Sequence, residues 1–228
     1  MVRLSSVFLL ALAASAGASA VPAPQHLHPF TADYQANYMG MQATGTMTLS
    51  QSSNHEWDFS FLLRNPLATL QQKTHFDEQR LRLRPLSSTT ASNVLVKRRA
   101  IQTRYDWKSH QANWDGDIKP ARRGPVTLQD GDMDGLLINL ALVRDVIAQR
   151  PMDYRMVDEG RVKTMHYSVQ GQETVTVNGK KVNATKLSER DGTKEIIAWV
   201  VPDVPVPVRL LQRKDGQDTM ELVFMALH

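Results

Sequence analysis

The sequence predicts a mainly β domain of the β-rich α+β class: an antiparallel, open or partly closed β-barrel wrapped around one central helix. Three observations predict it. Apolar and polar residues alternate with period two along most of the chain, the mark of strands with one buried face. Turn residues interrupt these runs at short spacing, as in a meander of hairpins. One central stretch, Asp134 to Gln149, instead carries Leu136, Leu137, Leu140, Ala141, Val143 and Ile147 at helical spacing.

Residues 1–20 read as a cleavable signal peptide outside the fold. Arg3 supplies the positive start, Val7 to Ala16 is an uncharged apolar run, and Ala18-Ser19-Ala20 has the small-x-small pattern of a cleavage site. Residues 21–29, with three prolines and two histidines, read as an irregular leader, and residues 30–228 as a single β-rich domain. Phe30, Ala32, Tyr34, Ala36 and Tyr38 alternate with polar neighbours and predict the first strand; Gly40 ends it and Thr44–Leu49 predicts the second. Trp57, Phe59, Phe61 and Leu63 predict a third, stopped by Asn65-Pro66. Further strands are expected at Ala68–Phe76, Arg80–Leu86, Asn93–Trp107 (continuous or broken) and Gln111–Trp114.

The helix comes next. Asp132 or Asp134 can cap it, because a carboxylate there meets free backbone N–H groups and the positive end of the helix dipole. Pro151 bars its continuation, and Ile138 and Leu142 widen its apolar surface beyond one stripe, which predicts burial on more than one side. Strands then resume at Met152–Val157, Val162–Val169, Glu173–Val177, Lys181–Ser188, Glu195–Val201, Val206–Arg213 and Thr219–Phe224. Asn178-Gly179 and Asp215-Gly216 are type I′ hairpin signals. Pro202, Pro205 and Pro207 predict a strand break or an edge, since each removes a ladder donor.

The chain has 228 residues, 42% of them hydrophobic, and no cysteine. That apolar content supports a real core and excludes a disordered chain. The missing cysteine excludes disulfides, a thiol nucleophile, thiolate-held metals and a lipid-modified cysteine. With an export signal and no anchor, the expected product is soluble in the periplasm, or secreted, without a stable membrane anchor once the signal is cleaved. Net charge is +4, and nucleic acid is not an expected partner.

Several motifs resemble a bacterial exported family, domain of unknown function 3108. Gly171-Gln172-Glu173-Thr174-Val175 followed by Asn178-Gly179 looks like that family's hairpin. Ala198-Trp199, Pro202, Pro207-Val208-Arg209 and Asp215-Gly216 resemble its C-terminal ending. Asp130 to Leu142 resembles its acidic turn leading into a Leu-rich helix, and Tyr38, Gly40 and Gly45 fit its first hairpin. Where relatives often carry Asp-x-x-Ser before the helix, this chain has Asp132-Met133-Asp134-Gly135. The resemblance implies a periplasmic β-rich protein and brings no catalytic residues with it.

Charge distribution supplies the candidate site. Residues 80–123 hold eleven Lys and Arg against three Asp. In Arg80-Leu81-Arg82-Leu83-Arg84 a strand would put Arg80, Arg82 and Arg84 on one face, able to hold anionic headgroups or acidic glycans through charge-assisted hydrogen bonds. The bland reading is a solvated face that keeps sheet edges from aggregating. Asp130-Gly131-Asp132-Met133-Asp134-Gly135 matches the start of a calcium loop, but Ala141 stands where the bidentate Glu should be. We therefore read the turn as an acidic helix cap, with no metal or cofactor expected. Nucleophile-elbow, H-E-x-x-H and phosphate-loop motifs are all missing from the sequence. The expected function is a non-catalytic binding or carrier module for a lipid-like or anionic envelope ligand. The alternatives are an envelope assembly or docking factor that binds a protein partner, and a cell-wall glycan hydrolase.

Overall fold

The computed structural model describes residues 26–38 and 40–228; the expected signal peptide lies outside the described residues. The strands are β1 (Phe30–Tyr38), β2 (Met41–Gln51), β3 (Glu56–Arg64), β4 (Ala68–Gln79), β5 (Arg82–Val94), β6 (Lys97–Asp106), β7 (Gln111–Gly116) and β8 (Val126–Thr127). Helix α1 (Leu137–Ile147) follows, then β9 (Asp153–Asp158), β10 (Arg161–His166), β11 (Ser168–Val177), β12 (Lys180–Asp191), β13 (Lys194–Val200), β14 (Arg209–Lys214) and β15 (Gln217–Leu227).

Thirteen strands form one sheet in the order β11-β12-β13-β14-β15-β1-β2-β3-β4-β5-β6-β7-β8, while β9 and β10 pair separately. The barrel is therefore open, with β11 and β8 as its edges. The β9–β10 hairpin ties the two flanks together. Lys163 on β10 pairs with Glu189 on β12 at 3.0 Å. On the other flank Arg99 pairs with Glu159 at 2.9 Å, and the Tyr105 hydroxyl donates to the Val157 carbonyl at 3.0 Å.

The alternation expected of the first strand holds as far as Ala36: Phe30, Ala32, Tyr34 and Ala36 are buried, while Tyr38 at its end is exposed, and Phe59, Phe61 and Leu63 on β3 are buried too. They pack with α1, on which every residue from Leu137 to Arg144 except Asn139 is buried. Burying each such Leu or Ile is worth about 2 kcal/mol, so the helix is held by burial on several sides. The valines of the Pro-rich connection, Val204, Val206 and Val208, join the same core. The Tyr34 hydroxyl donates to the Pro207 carbonyl at 2.9 Å and pins that loop down. The prolines thus mark a break between two central strands, and the edge reading is set aside.

Several expected boundaries are corrected. Arg80 and Leu81 have φ of 50° and 65° and form the two-residue turn between Gln79 and its partner Arg82. A strand starting at Arg80 is thereby replaced by a tight hairpin, a turn that needs positive φ at both positions and here lacks the usual Asn or Gly. The stretch Asn93–Trp107 divides at Leu95, whose φ is 54°. The helix starts at Leu137 because Asp134 Oδ1 accepts the Leu137 N–H at 2.9 Å, and it stops before Gln149, which is left-handed at φ 52°. Val162–Val169 divides at the buried Tyr167, where the chain leaves the β9–β10 pair and enters the main sheet.

Two glycines separate conformational from packing cost. Gly179 has φ 75° and open space around it, whereas a Cβ on Gly160, at φ 67°, would lie 2.0 Å from the Arg122 carbonyl oxygen. Gly179→Ala should cost about 1 kcal/mol and Gly160→Ala about 3 kcal/mol, the clash adding to the backbone strain. Urea denaturation of the two variants checks this; equal losses would mean that the β9–β10 turn is not packed against residues 120–122.

Candidate functional site

Two contacts to β4 set the direction of α1 across the sheet. At its start the Thr74 hydroxyl donates to Asp134 Oδ2 at 2.5 Å. Near its end Arg144 Nη2 donates to Glu78 Oε1 at 2.5 Å. Thr74 and Glu78 are four residues apart on β4 and, by strand alternation, face the same side. The helix thus delivers Arg144 to the mouth of the barrel that carries the β4–β5 turn.

Two clefts meet there, and Arg144 lines both. The first, about 500 Å³, is walled by Arg80, Leu81, Arg82 and Leu83 of the turn, by the Gln129–Met133 segment, by Ala141 and Asp145 of the helix, and by Arg150 to Arg155. The second, about 440 Å³, is largely apolar and includes Leu27, Pro29, Phe30, Leu49, Leu140 and Leu227. Arg144 is only 8% exposed. Its Nη1 is buried and has no hydrogen-bond partner, as does Asp132 Oδ1 on the opposite wall. An unsatisfied buried polar atom costs about 1–3 kcal/mol, more when charged, so each is a destabilising point beside the cleft.

Most other charges of the first cleft are engaged. Arg155 pairs with Asp132, and Arg150 Nε with Asp145 Oδ1 at 2.7 Å. The Tyr154 hydroxyl donates to Asp145 Oδ2 at 2.8 Å, and Asp153 pairs with His166. Arg80 and Arg82 at the rim make no ion pair among the described residues. Arg82 Nη1 lies over Gly131, 3.2 Å from where a Cβ would sit.

The expected basic face is therefore corrected. Arg80 and Arg82 come together at the cleft, with Arg80 in a turn. Arg82 and Arg84, two apart on β5 with Leu83 buried between them, keep the shared face, but Arg84 is engaged there, held by Asp77 through its Nε at 2.8 Å and through Nη2, with its guanidinium 5.7 Å from the Trp107 ring centre. Arg144, Arg150 and Arg155 fall outside the basic segment and escape a reading by local charge; a lone arginine on an otherwise apolar helix face is the signal that marks Arg144. The acidic turn does not gather its carboxylates. Asp132 turns to Arg155 and to the Gln129 N–H at 2.8 Å, while Asp134 turns inward to Thr74 and the helix start.

Behind the cleft the buried Asp134 stands near the partly buried Asp158. Burial raises the Asp134 carboxyl against the opposing hydrogen bonds from Thr74 and the helix N–H groups. Burial pushes the Asp158 carboxyl up to about 7, and the Asp134 and Glu159 carboxylates push the same way. The Tyr105 phenol is also raised, first by burial and then by these two aspartates.

The sequence matches a family described as "Protein of unknown function (DUF3108)" over residues 33–223. No curated protein matches it. Among solved structures, the fold is similar to a β-barrel-like protein of domain of unknown function DUF1849 from Brucella abortus, with a TM-score of 0.54, 13% identity, and coverage of 88% of this chain and 97% of that one. The Pseudomonas aeruginosa MucA/MucB complex aligns at 13% identity over 88% of this chain and 51% of that chain, with a TM-score of 0.35. A DUF1329 family protein from Desulfovibrio piger aligns at 9% identity over 88% and 84%, with a TM-score of 0.25. The last two share too little of the fold to bear on this one.

The buried acids make stability depend on pH. Native Asp158 keeps its proton up to about pH 7, whereas the unfolded chain releases it near pH 4. The native state therefore binds more protons in that window, and stability falls as pH rises through it. Asp158→Asn should flatten the decline and stabilise the protein at pH 8 by on the order of 2 kcal/mol. Melting temperatures at pH 5 and pH 8 test this; an unchanged slope would show that the native carboxyl is already ionised.

Proposed function

The chain belongs to the DUF3108 family, and from that premise we propose that it is an exported, periplasmic, non-catalytic binding module for an anionic, lipid-like ligand. The observation that carries this reading is Arg144, buried with one terminus unsatisfied where the polar and apolar clefts meet. An amphiphile suits both sides: an acyl-like tail against Leu27, Phe30, Leu49, Leu140 and Leu227, and an anionic head at Arg144 with Arg80 and Arg82 at the rim. A hydroxyl on that head would meet Asp132 Oδ1. No helix among the described residues is long and apolar enough to cross a membrane.

The glycan-hydrolase alternative draws less support, because Asp132, Asp145 and Asp153 are each tied to Arg155, Arg150 or His166. The docking-factor alternative has one observation in its favour: β11 is an edge strand with an unpaired outer side. A register shift between Val169 and Gly171 interrupts that edge, a device that blunts strand addition.

Fluorescence titration with 11-(dansylamino)undecanoate and with its methyl ester tests the reading. The acid should bind about tenfold more tightly than the ester, the difference expected of one buried charge-assisted hydrogen bond. Arg144→Met should remove the preference while keeping ester binding, and Arg82→Glu should weaken the acid alone. Equal affinities for acid and ester in the wild type, or no binding of either, would overturn the proposal.

A further inference from the structure

The opposite end of the sheet carries a second feature with its own chemistry. Adjacent hairpins β1–β2, β3–β4 and β5–β6 turn there, since Tyr38 pairs with Met41, Arg64 with Thr69 and Val94 with Lys97. Their tips expose apolar side chains: Tyr38 and Met41 on the first, Leu67 on the second at 56%, and Leu95 and Val96 on the third at 69% and 95%. The Leu95 N–H donates to the Leu67 carbonyl at 3.0 Å, so two of the tips form one patch. Leu95 sits at φ 54°, a conformation a leucine adopts at some cost, and it does so without gaining any burial.

A basic collar surrounds the patch. Arg64, Lys97 and Arg98 are exposed and make no ion pair among the described residues, while Arg99 pairs with Glu159. The chain carries no Asp or Glu from residue 59 to 76, nor from 79 to 105, so the acidic residues of these two hairpins, Glu56, Asp58, Asp77, Glu78 and Asp106, all lie at the end away from the tips. Exposed aliphatic tips backed by unopposed Lys and Arg fit the boundary of a bilayer with anionic headgroups: the aliphatic groups enter the acyl region and the cations stay among the phosphates. An anionic lipid surface offers phosphates to these charges while leaving them hydrated, whereas an apolar protein groove would have to bury them.

We propose that this end of the sheet is a membrane-docking surface for an anionic phospholipid bilayer, with Leu67, Leu95 and Val96 as its inserting residues and Arg64, Lys97 and Arg98 as its headgroup contacts. The surface is separate from the Arg144 cleft and does not depend on what that cleft binds.

Co-sedimentation with large unilamellar vesicles tests it, using the chain from residue 21, which retains every described element. Vesicles of three parts phosphatidylcholine to one part phosphatidylglycerol should bind the protein, and pure phosphatidylcholine should not. High salt should weaken the binding. Lys97→Glu and Arg98→Glu should each lower partitioning about fivefold or more, the order expected per basic residue, and L95D with V96D should abolish it. Val96→Trp should show a blue-shifted emission on the anionic vesicles alone. Leu67→Asp serves in place of the double variant if the latter melts early. Absence of wild-type binding, tip variants that bind as well as wild type, or a vesicle-free self-association that the tip variants abolish would each overturn the proposal.

Discussion

An antiparallel sheet that does not close must have its inner face filled from inside, and here a single apolar helix fills it. Residues Leu137, Ile138 and Leu140 to Val143 of α1 share one core with inward residues from β1–β5 and β11–β15. Because the filler is a helix, its two ends need polar partners inside a barrel, and those partners define the polar interior. At its start the buried Asp134 caps the helix by accepting the Leu137 N–H and accepts a second bond from the Thr74 hydroxyl, and near its end Arg144 donates to Glu78. The buried Asp134 follows from the requirement that this helix be buried and still have its first N–H groups satisfied, while Arg144 brings a charge into the same interior that Glu78 satisfies only in part.

The gap in the sheet is managed by the same logic. Edge strands β11 and β8 leave one side of the core uncovered, and β9–β10 bridges it through side chains. Val157 and Tyr105 make a small second core with Trp114 beneath that bridge. Gly160 lets the hairpin turn approach the Arg122 backbone more closely than any side chain would permit. Asp158, placed in this bridge, faces the Asp134 charge, and the electrostatic cost at this point is tolerated because the hairpin closes the core.

Much of the architecture was legible in residue order because half-buried strands write their burial as alternation. Phe30, Ala32, Tyr34 and Ala36 show it, and Asn178-Gly179 and Asp215-Gly216 announce turns whose φ values are all positive. The Arg80-Leu81 and Leu95 turns were not legible, since no residue type there favours positive φ; pairing of the flanking strands imposes it. The candidate site was half legible. Arg80 and Arg82 lie in an obvious basic run, but Arg84 is indistinguishable from them in sequence and differs only because Asp77 stands across the ladder. Arg144 and Asp132 are brought together by tertiary packing, which no local pattern records.

The two ends of the sheet differ in shape, a cleft at one and protruding tips at the other, and their separation constrains how they can work together. Arg82 and Val94 bound the same strand, β5, and its 13 residues at about 3.3 Å each place them about 40 Å apart. That is several Debye lengths at physiological salt, about 8 Å, so a charged bilayer at the hairpin tips exerts almost no field at the Arg144 cleft. Seated by those tips, the molecule would hold its cleft well beyond the headgroup layer, facing solution. A ligand would then reach the cleft from the aqueous side, and the docked protein would act as a receiver for molecules arriving there, with extraction of lipid from its own supporting bilayer excluded by distance.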